Sequence, residues 1–140
     1  MANPGPATTN TNHPSNLATN QALRLIASAQ GVNLNQVADT VAPILVNGRV
    51  SVQSVIVTNA SIDLTTAQLA VYTGPGATGT AVKSAYALSG NTTAAKVVVT
   101  AATSTDAVTG TPLYIRNTTV QGAAATADVF IYGYDLTFLP

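Results

Sequence analysis

Apolar and polar residues alternate in short runs from residue 44 to the end of the chain, and segments rich in Gly, Pro, Asn and Ser separate these runs. Alternation with a period of two residues is typical of β-strands that bury one face, and the separating segments are typical of turns. We predict strands over residues 68–72, 82–88, 96–100, 113–118 and 128–138. Many short strands with frequent turns favour a mainly β fold, and we expect an antiparallel, jelly-roll-like β-sandwich.

The start of this β region predicts a hairpin. Asn47-Gly48 lies between the apolar residues 44–46 and the alternating residues 49–52. An Asn-Gly pair accepts the positive φ angles of a type I′ turn, which joins two neighbouring antiparallel strands. We therefore expect these two segments to pair with each other.

In the strand after this turn, the valines move from one face of the strand to the other. Val50 and Val52 lie on one face with Ile56, whereas Val55 and Val57 lie on the other. We therefore expect the second half of this strand to be covered on both faces.

The last predicted strand carries a row of aromatic residues. Alternate positions place the following side chains on one face: Phe130, Tyr132, Tyr134, Leu136 and Phe138. Val129 and Ile131 lie on the opposite face. Because aromatic side chains bury the largest apolar areas, we expect this row to be the largest hydrophobic contribution in the protein.

The first 19 residues have a different composition, dominated by Pro, Thr, Asn and Ala. Such a segment buries too little apolar surface to offset the entropy lost on ordering. We therefore predict an extended N-terminal arm over residues 1–19 that becomes ordered on a partner.

Residues 20–43 predict a short helix and a connector. Asn20 can cap a helix over residues 21–29, which would place Leu23 and Ile26 on one stripe, and Gly31 can end it. The next apolar residues fit a helix or an extended segment almost equally well. The β-sandwich domain is then predicted to occupy residues 44–140.

Composition indicates that the surface is nearly uncharged. Charged residues make up 7% of the chain and the formal net charge is +0, whereas about 25% charged residues is usual. No net repulsion then opposes association between copies, which suits a protein that belongs to an assembly. The five cations are scattered and no long apolar run occurs, so we predict neither nucleic-acid nor membrane binding.

Groups that could perform catalysis are scarce. His13, the one histidine, lies in the arm, and all five acids are aspartates that occur singly. We expect no enzyme activity, no cofactor and no metal centre, although a calcium site built from Asp and backbone carbonyls stays open. We expect Asp63, Asp106, Asp128 and Asp135 to cap turns and strand edges.

A partner would contact the arm and the first helix. The candidate partner-binding residues are Asn3, Pro4, Pro6, His13, Pro14, Leu17, Leu23 and Ile26. They are chosen because a polar, extended segment followed by an apolar stripe can lie along another protein surface.

Four segments resemble a known family: residues 56–61, residues 71–73 before a Gly-rich loop, residues 113–116, and residues 121–129, which read QGAAATADV. They are similar to small Ala/Thr-rich β proteins of tailed bacteriophages and prophages that decorate capsids. The resemblance covers residues 55–136. It implies a virion cement protein, made in the host cytoplasm, which binds the major capsid protein on the outer surface of the shell and forms homo-oligomers, trimers more often than dimers.

An alternative is a carbohydrate- or receptor-binding β-sandwich of a phage fibre or an adhesin. In that case one or more exposed tyrosines would stack on sugar rings. The candidates are Tyr72, Tyr86, Tyr114 and Tyr134. The absence of Trp weakens this alternative.

Overall fold

The computed structural model describes residues 22–46, 48–94, 97–109 and 112–137. Its strands are β1 (Arg24–Asn33), β2 (Asp39–Ala42), β3 (Arg49–Thr58), β4 (Gln68–Gly74), β5 (Thr78–Ala87), β6 (Val98–Ala101), β7 (Val108–Thr109), β8 (Leu113–Thr119) and β9 (Thr126–Asp135). A 3-10 turn, Pro75–Ala77, joins β4 to β5. The prediction of a mainly β protein is confirmed.

The strands form two antiparallel sheets that pack together. Sheet I has five strands in the order β1-β9-β3-β6, with β7 also paired to β3, and sheet II has four strands in the order β2-β8-β4-β5. The hydrophobic core draws residues from both sheets. This arrangement confirms the predicted antiparallel β-sandwich.

The strand pairs are nested around the hairpin of β4 and β5. Moving outward from this hairpin, β3 pairs with β6, β2 with β8 and β1 with β9, and each successive pair lies in the other sheet. The order is that of one long antiparallel ribbon wrapped around a core. Further pairing of β9 with β3 and of β8 with β4 joins the ribbon into the two sheets.

The core between the sheets is aliphatic. Its largest fully buried members include Leu69 and Ile115 of sheet II and Val55 and Ile131 of sheet I. Burial of each such side chain contributes about 1.5–3 kcal/mol relative to exposure. Many small contributions from Val, Leu, Ile and Ala therefore hold the two sheets together.

The aromatic row of β9 faces away from this core, which is built from aliphatic side chains. Val129 and Ile131 are fully buried, whereas Phe130, Tyr132 and Tyr134 are half-buried on the outer face of sheet I. Phe138 lies outside the described residues. The alternation was assigned correctly, but the aliphatic face of this strand is the one that packs inward.

A β-bulge explains the change of face among the valines of β3. Val52 pairs with Gly133 and Ser54 with the adjacent Tyr132, so Gln53 is an extra residue in β3. The extra residue returns Val55 and later valines to the face already used by Val52, and all of them are buried in the core. The expectation that both faces are covered is therefore wrong.

The predicted hairpin at Asn47-Gly48 is also wrong. The segment before it bridges β1 through Ala27 and Ile44, and Leu45 N–H donates to the carbonyl of Ile26. The segment after it, β3, pairs with β6, β7 and β9. Asn47 lies outside the described residues.

Residues predicted as a helix form most of β1. This strand, Arg24–Asn33, pairs with β9, and β2 pairs with β8 in the other sheet. A helix of nine residues gains little stability by itself, so pairing with β9 determines the outcome. The sandwich therefore begins at β1, well before residue 44, while residues 1–21, which include the predicted arm, lie outside the described residues.

Candidate interaction surfaces

Two ion pairs tie the edge strands of the sandwich to their neighbours. Arg116 on β8 donates to Asp39 on β2, with an Nη1–Oδ1 distance of 2.8 Å. Arg24 on β1 donates to Asp135 on β9, with an Nη1–Oδ2 distance of 3.1 Å. These two aspartates therefore stabilise strand pairing.

Hydrogen bonding lowers the pKa of both aspartates. Burial by itself would raise the pKa of Asp39, but hydrogen bonds from Gly76 N–H and Arg116, together with the charge of Arg116, outweigh burial and lower it. Burial likewise opposes ionisation of Asp135, and hydrogen bonds from Thr137 with the charge of Arg24 lower its pKa. Both carboxylates are thus stabilised in the ionised form.

Two further aspartates hold turns. Asp63 accepts a hydrogen bond from Thr93 N–H at 3.0 Å. Asp128 accepts one from Gly31 N–H at 2.8 Å and another from the Asn59 amide at 2.9 Å. The prediction that aspartates cap turns and strand edges is confirmed for Asp63, Asp128 and Asp135.

The remaining acid, Asp106, lines a small open cleft of about 250 Å³ between β5 and the segment that follows β6. Its other polar lining consists of threonine and serine hydroxyls, including those of Thr73 and Ser104. Among residues 22–46, 48–94, 97–109 and 112–137, no group of three or more His, Cys, Asp or Glu residues is placed to hold a metal ion.

Gln121, the first residue of the QGAAATADV segment, fastens a loop. Its Oε1 accepts hydrogen bonds from the backbone N–H groups of Thr65, Thr66 and Ala67 at 3.1–3.2 Å. Its Nε2 donates to the carbonyl of Asp63 at 3.4 Å. One side chain therefore satisfies several backbone groups of the loop between β3 and β4. Within the QGAAATADV segment that resembles the phage family, Gln121 thus has a structural role.

The outer face of sheet I carries a continuous, mostly apolar surface, which we call the aromatic face. Its residues are Phe130, Tyr132 and Tyr134 of β9, Ser54 and Ile56 of β3, Leu25 and Ser28 of β1, and Val99 of β6. Val99, opposite Ile56 at the sheet edge, is 63% exposed. None of these residues carries a charge.

The outer face of sheet II carries a smaller row of tyrosines. Tyr72 of β4 lies directly opposite Tyr114 of β8, and Tyr114 lies opposite Val41 of β2, which is 54% exposed. Both tyrosines are half-buried. The ion pair between Arg116 and Asp39 occupies the same face two residues further along β8 and β2.

Of the four tyrosines considered for sugar stacking, the structure brings only Tyr72 and Tyr114 together. Tyr134 lies on the opposite side of the sandwich. Tyr86 packs against the core with a buried hydroxyl that has no hydrogen-bond partner, and burial raises its pKa. The Lys83 ammonium lies 5.4 Å from the centroid of the Tyr86 ring, so this ring is partly covered, and its stacking on a sugar stays a prediction.

The predicted partner-binding residues fall into three groups. Leu23, just before β1, is 54% exposed, and its contact with a partner stays a prediction. Ile26 is fully buried in β1, so it is unavailable at the surface and its selection was wrong. The others lie outside the described residues: Asn3, Pro4, Pro6, His13, Pro14 and Leu17.

Comparisons with known proteins give no family for this chain. A scan against protein-family models and a search of curated proteins found no match. In the described part of the chain, no helix has the length and apolar character needed to cross a bilayer.

Proposed function

We propose that this chain is a non-enzymatic structural protein of a bacteriophage virion, a cement protein that binds the major capsid protein on the outside of the shell. We further infer that the sandwich is of the jelly-roll type, which the nested strand pairing supports. Viral capsid proteins and lectins both use this architecture, so the fold by itself does not select between them.

One observation carries this proposal: most of the aspartates maintain the fold, while the outer face of sheet I carries a patch of uncharged side chains that includes Phe130, Tyr132, Ile56 and Leu25. Four of the five aspartates accept structural hydrogen bonds, and two of these also form ion pairs. Such a body, in the part that the structure describes, has no second acidic or basic side chain beside Asp106 in its cleft for proton transfer. It can act through shape and apolar contact, as a protein that reinforces a shell must.

The binding of many copies would supply the affinity that the uncharged surface of a single copy lacks. Each copy would make modest contacts with the shell, and a symmetric lattice of homo-oligomers would multiply them. The resemblance favours a trimer over a dimer, and the arm over residues 1–19 would lie along the shell.

Deletion of residues 1–19 tests this proposal. The truncated protein should unfold cooperatively, because it retains all nine strands of the described residues, but it should no longer attach to purified capsids in a sedimentation assay. The full chain is the control and should raise the temperature at which capsids rupture. Normal decoration of shells by the truncated protein would contradict the role of the arm, and failure of the full chain to bind any shell would contradict the cement function.

Carbohydrate binding is a second candidate, and the opposed pair of Tyr72 and Tyr114 favours it. Adjacent aromatic rings on a flat sheet can stack on the apolar faces of sugars, while the nearby Arg116 could donate to hydroxyls. A glycan array with the full chain tests this candidate. Specific binding should be lost in Tyr114→Ala and retained in Tyr134→Ala, which removes a tyrosine from the opposite face.

A further inference from the structure

The cleft beside Asp106 lies where the chain crosses between the two sheets. After β6, which belongs to sheet I, the chain reaches β5 of sheet II, where the N–H groups of Thr103 and Ser104 donate to the carbonyl of Val82 at 2.8 and 3.1 Å. It then returns to sheet I as β7, which pairs with β3. Residues of β4, β5 and β7 line the cleft together with the connecting segment, so both sheets contribute to its walls.

Hydrogen bonds hold the connecting segment that carries Asp106. The Ser51 hydroxyl of β3 donates to the carbonyl of Thr105 at 2.6 Å. The N–H group of Asp106 donates to the Ser104 hydroxyl at 3.2 Å. The walls are therefore held in place before a ligand arrives, and a preorganised site loses less entropy when it binds.

Asp106 is the aspartate that the fold does not use. The other four aspartates accept hydrogen bonds through their carboxylates, whereas the Asp106 carboxylate has no partner within residues 22–46, 48–94, 97–109 and 112–137. The hydroxyls of Thr80 and Thr109, which also line the cleft, are likewise unpartnered within these ranges. An ionised carboxylate accepts hydrogen bonds at two oxygens, and a hydroxyl both donates and accepts. The cleft therefore offers several polar groups that a bound molecule can satisfy.

The size and polarity of the cleft limit what it can hold. Its volume of about 250 Å³ is below the roughly 300–1,000 Å³ of sites for drug-sized ligands, so it admits one small ring. The carboxylate opposes an anion, and a wholly apolar molecule would leave the carboxylate and the hydroxyls without partners. A metal cation is disfavoured because no second carboxylate of the described residues lines the cleft. A neutral sugar residue carries hydroxyl donors for Asp106 and C–H groups for the apolar lining, which includes Ala107 and Val108.

We propose that this cleft is a binding site for one neutral sugar residue. Two adjacent hydroxyls of the sugar donate to the Asp106 carboxylate, and C–H groups of the ring contact Ala107 and Val108. This inference goes beyond the proposed cement function, and the site shares no lining residue with the tyrosine pair of sheet II. Because one sugar residue makes few contacts, each copy binds weakly, and many copies on a lattice would together hold a glycan-bearing surface.

An NMR titration of the isotope-labelled full chain tests the inference. The probes are the methyl glycosides of glucose, galactose, mannose and N-acetylglucosamine, each up to about 50 mM, because a site this small should dissociate in the millimolar range. With at least one probe, we expect saturable shifts at the amides of residues 80–82 and 103–109. Asp106→Ala should raise the dissociation constant about tenfold, because it removes a charged acceptor.

Thr80→Val is a second variant, which removes a hydroxyl from the cleft and should raise the dissociation constant about fivefold. Thr119→Val is the matched control, an exposed threonine at the end of β8 that lies outside the cleft, and should leave the constant unchanged. Circular dichroism checks that all variants are folded.

Three results would overturn the inference: no saturable shift with any probe, shifts confined to residues outside the cleft, or binding that neither cleft variant weakens. Glycerol that binds as tightly as the glycosides would also overturn it, because a sugar ring would then add nothing. Capsid attachment is measured separately. A cleft variant that loses the sugar but still decorates shells leaves the cement function intact, and a full chain that binds sugar but no shell contradicts only the cement function.

Discussion

Gly133 lies where β9 passes the bulge of β3, and it allows the two backbones to approach closely. A Cβ atom at this position would be 2.1 Å from the carbonyl oxygen of Ser51. That oxygen belongs to the backbone, so it cannot move without shifting β3. The bulge that returns Val55 to the core therefore depends on a glycine in the neighbouring strand.

We expect Gly133→Ala to reduce the free energy of unfolding by about 3 kcal/mol, because the two central strands of sheet I must separate to admit the methyl group. Urea unfolding followed by circular dichroism measures this change. Gly31→Ala is the control: Gly31 has a φ of 63° with open space around it, so only backbone strain of about 1 kcal/mol is expected. An equal loss in the two variants would contradict the steric explanation.

At the scale of elements, β1 shows why a strand can resemble a helix in sequence. Its register on β9 shifts between Leu25 and Ala27 and again between Ala29 and Val32. Each shift adds a residue, so the inward positions are spaced irregularly and imitate the three- to four-residue spacing of a helix. Gly31, which we expected to end a helix, has a φ of 63° and lies in the second register shift of β1.

The ion pair between β2 and β8 makes the pairing of these strands sensitive to pH. The pKa of Asp39 is lower in the folded protein than its ordinary value of 3.8, so the folded state binds fewer protons than the unfolded state in this range. The stabilisation is therefore fully present above about pH 4 and is lost as the pH falls through the folded pKa. Asp135 on β9 contributes in the same direction.

We expect the free energy of unfolding to fall as the pH is lowered from about 5 to about 2, and Asp39→Asn to reduce the steepness of this fall. Urea unfolding at a series of pH values measures both. Asp106→Asn is the control, because within the described residues the Asp106 side chain accepts no hydrogen bond. A pH profile that Asp39→Asn leaves unchanged would rule out this contribution.

At the scale of the whole molecule, the nested strand order pairs the first strands of the chain with the last ones, so the two groups of strands depend on each other. β1 covers one edge of β9, and β2 covers one edge of β8. Ala27, Val32 and Leu34 from this early part of the chain belong to the core. The sandwich therefore cannot be completed by residues 44–140 alone.

We expect deletion of residues 1–43 to abolish cooperative unfolding, because it removes two edge strands and part of the core. Deletion of residues 1–19 is the matched control and should unfold cooperatively, since strands β1 to β9 all remain. Differential scanning calorimetry distinguishes the two outcomes. A sharp transition in the shorter protein would mean that β1 and β2 are dispensable.

Much of the fold could be predicted from local pattern. The alternation over residues 68–72, 113–118 and 128–138 corresponds to β4, β8 and β9, with end points that differ by a few residues. The candidate surfaces could be predicted less well. Tyr72 and Tyr114 were both candidates, but their juxtaposition depends on the register of β4 and β8, which are separated by a long stretch of chain.

The sequence by itself determined that the protein is a β-rich, nearly uncharged molecule, because composition and a two-residue period are local properties. Tertiary structure alone decided which face of β9 is buried, that residues 24–33 are a strand, and which segments pair around Asn47-Gly48. Each of these depends on a partner strand distant in sequence, whose bulges shift register and whose side chains determine what each face meets. A sequence pattern shows that apolar and polar residues alternate, but only pairing with a partner strand determines which face of the strand points into the core.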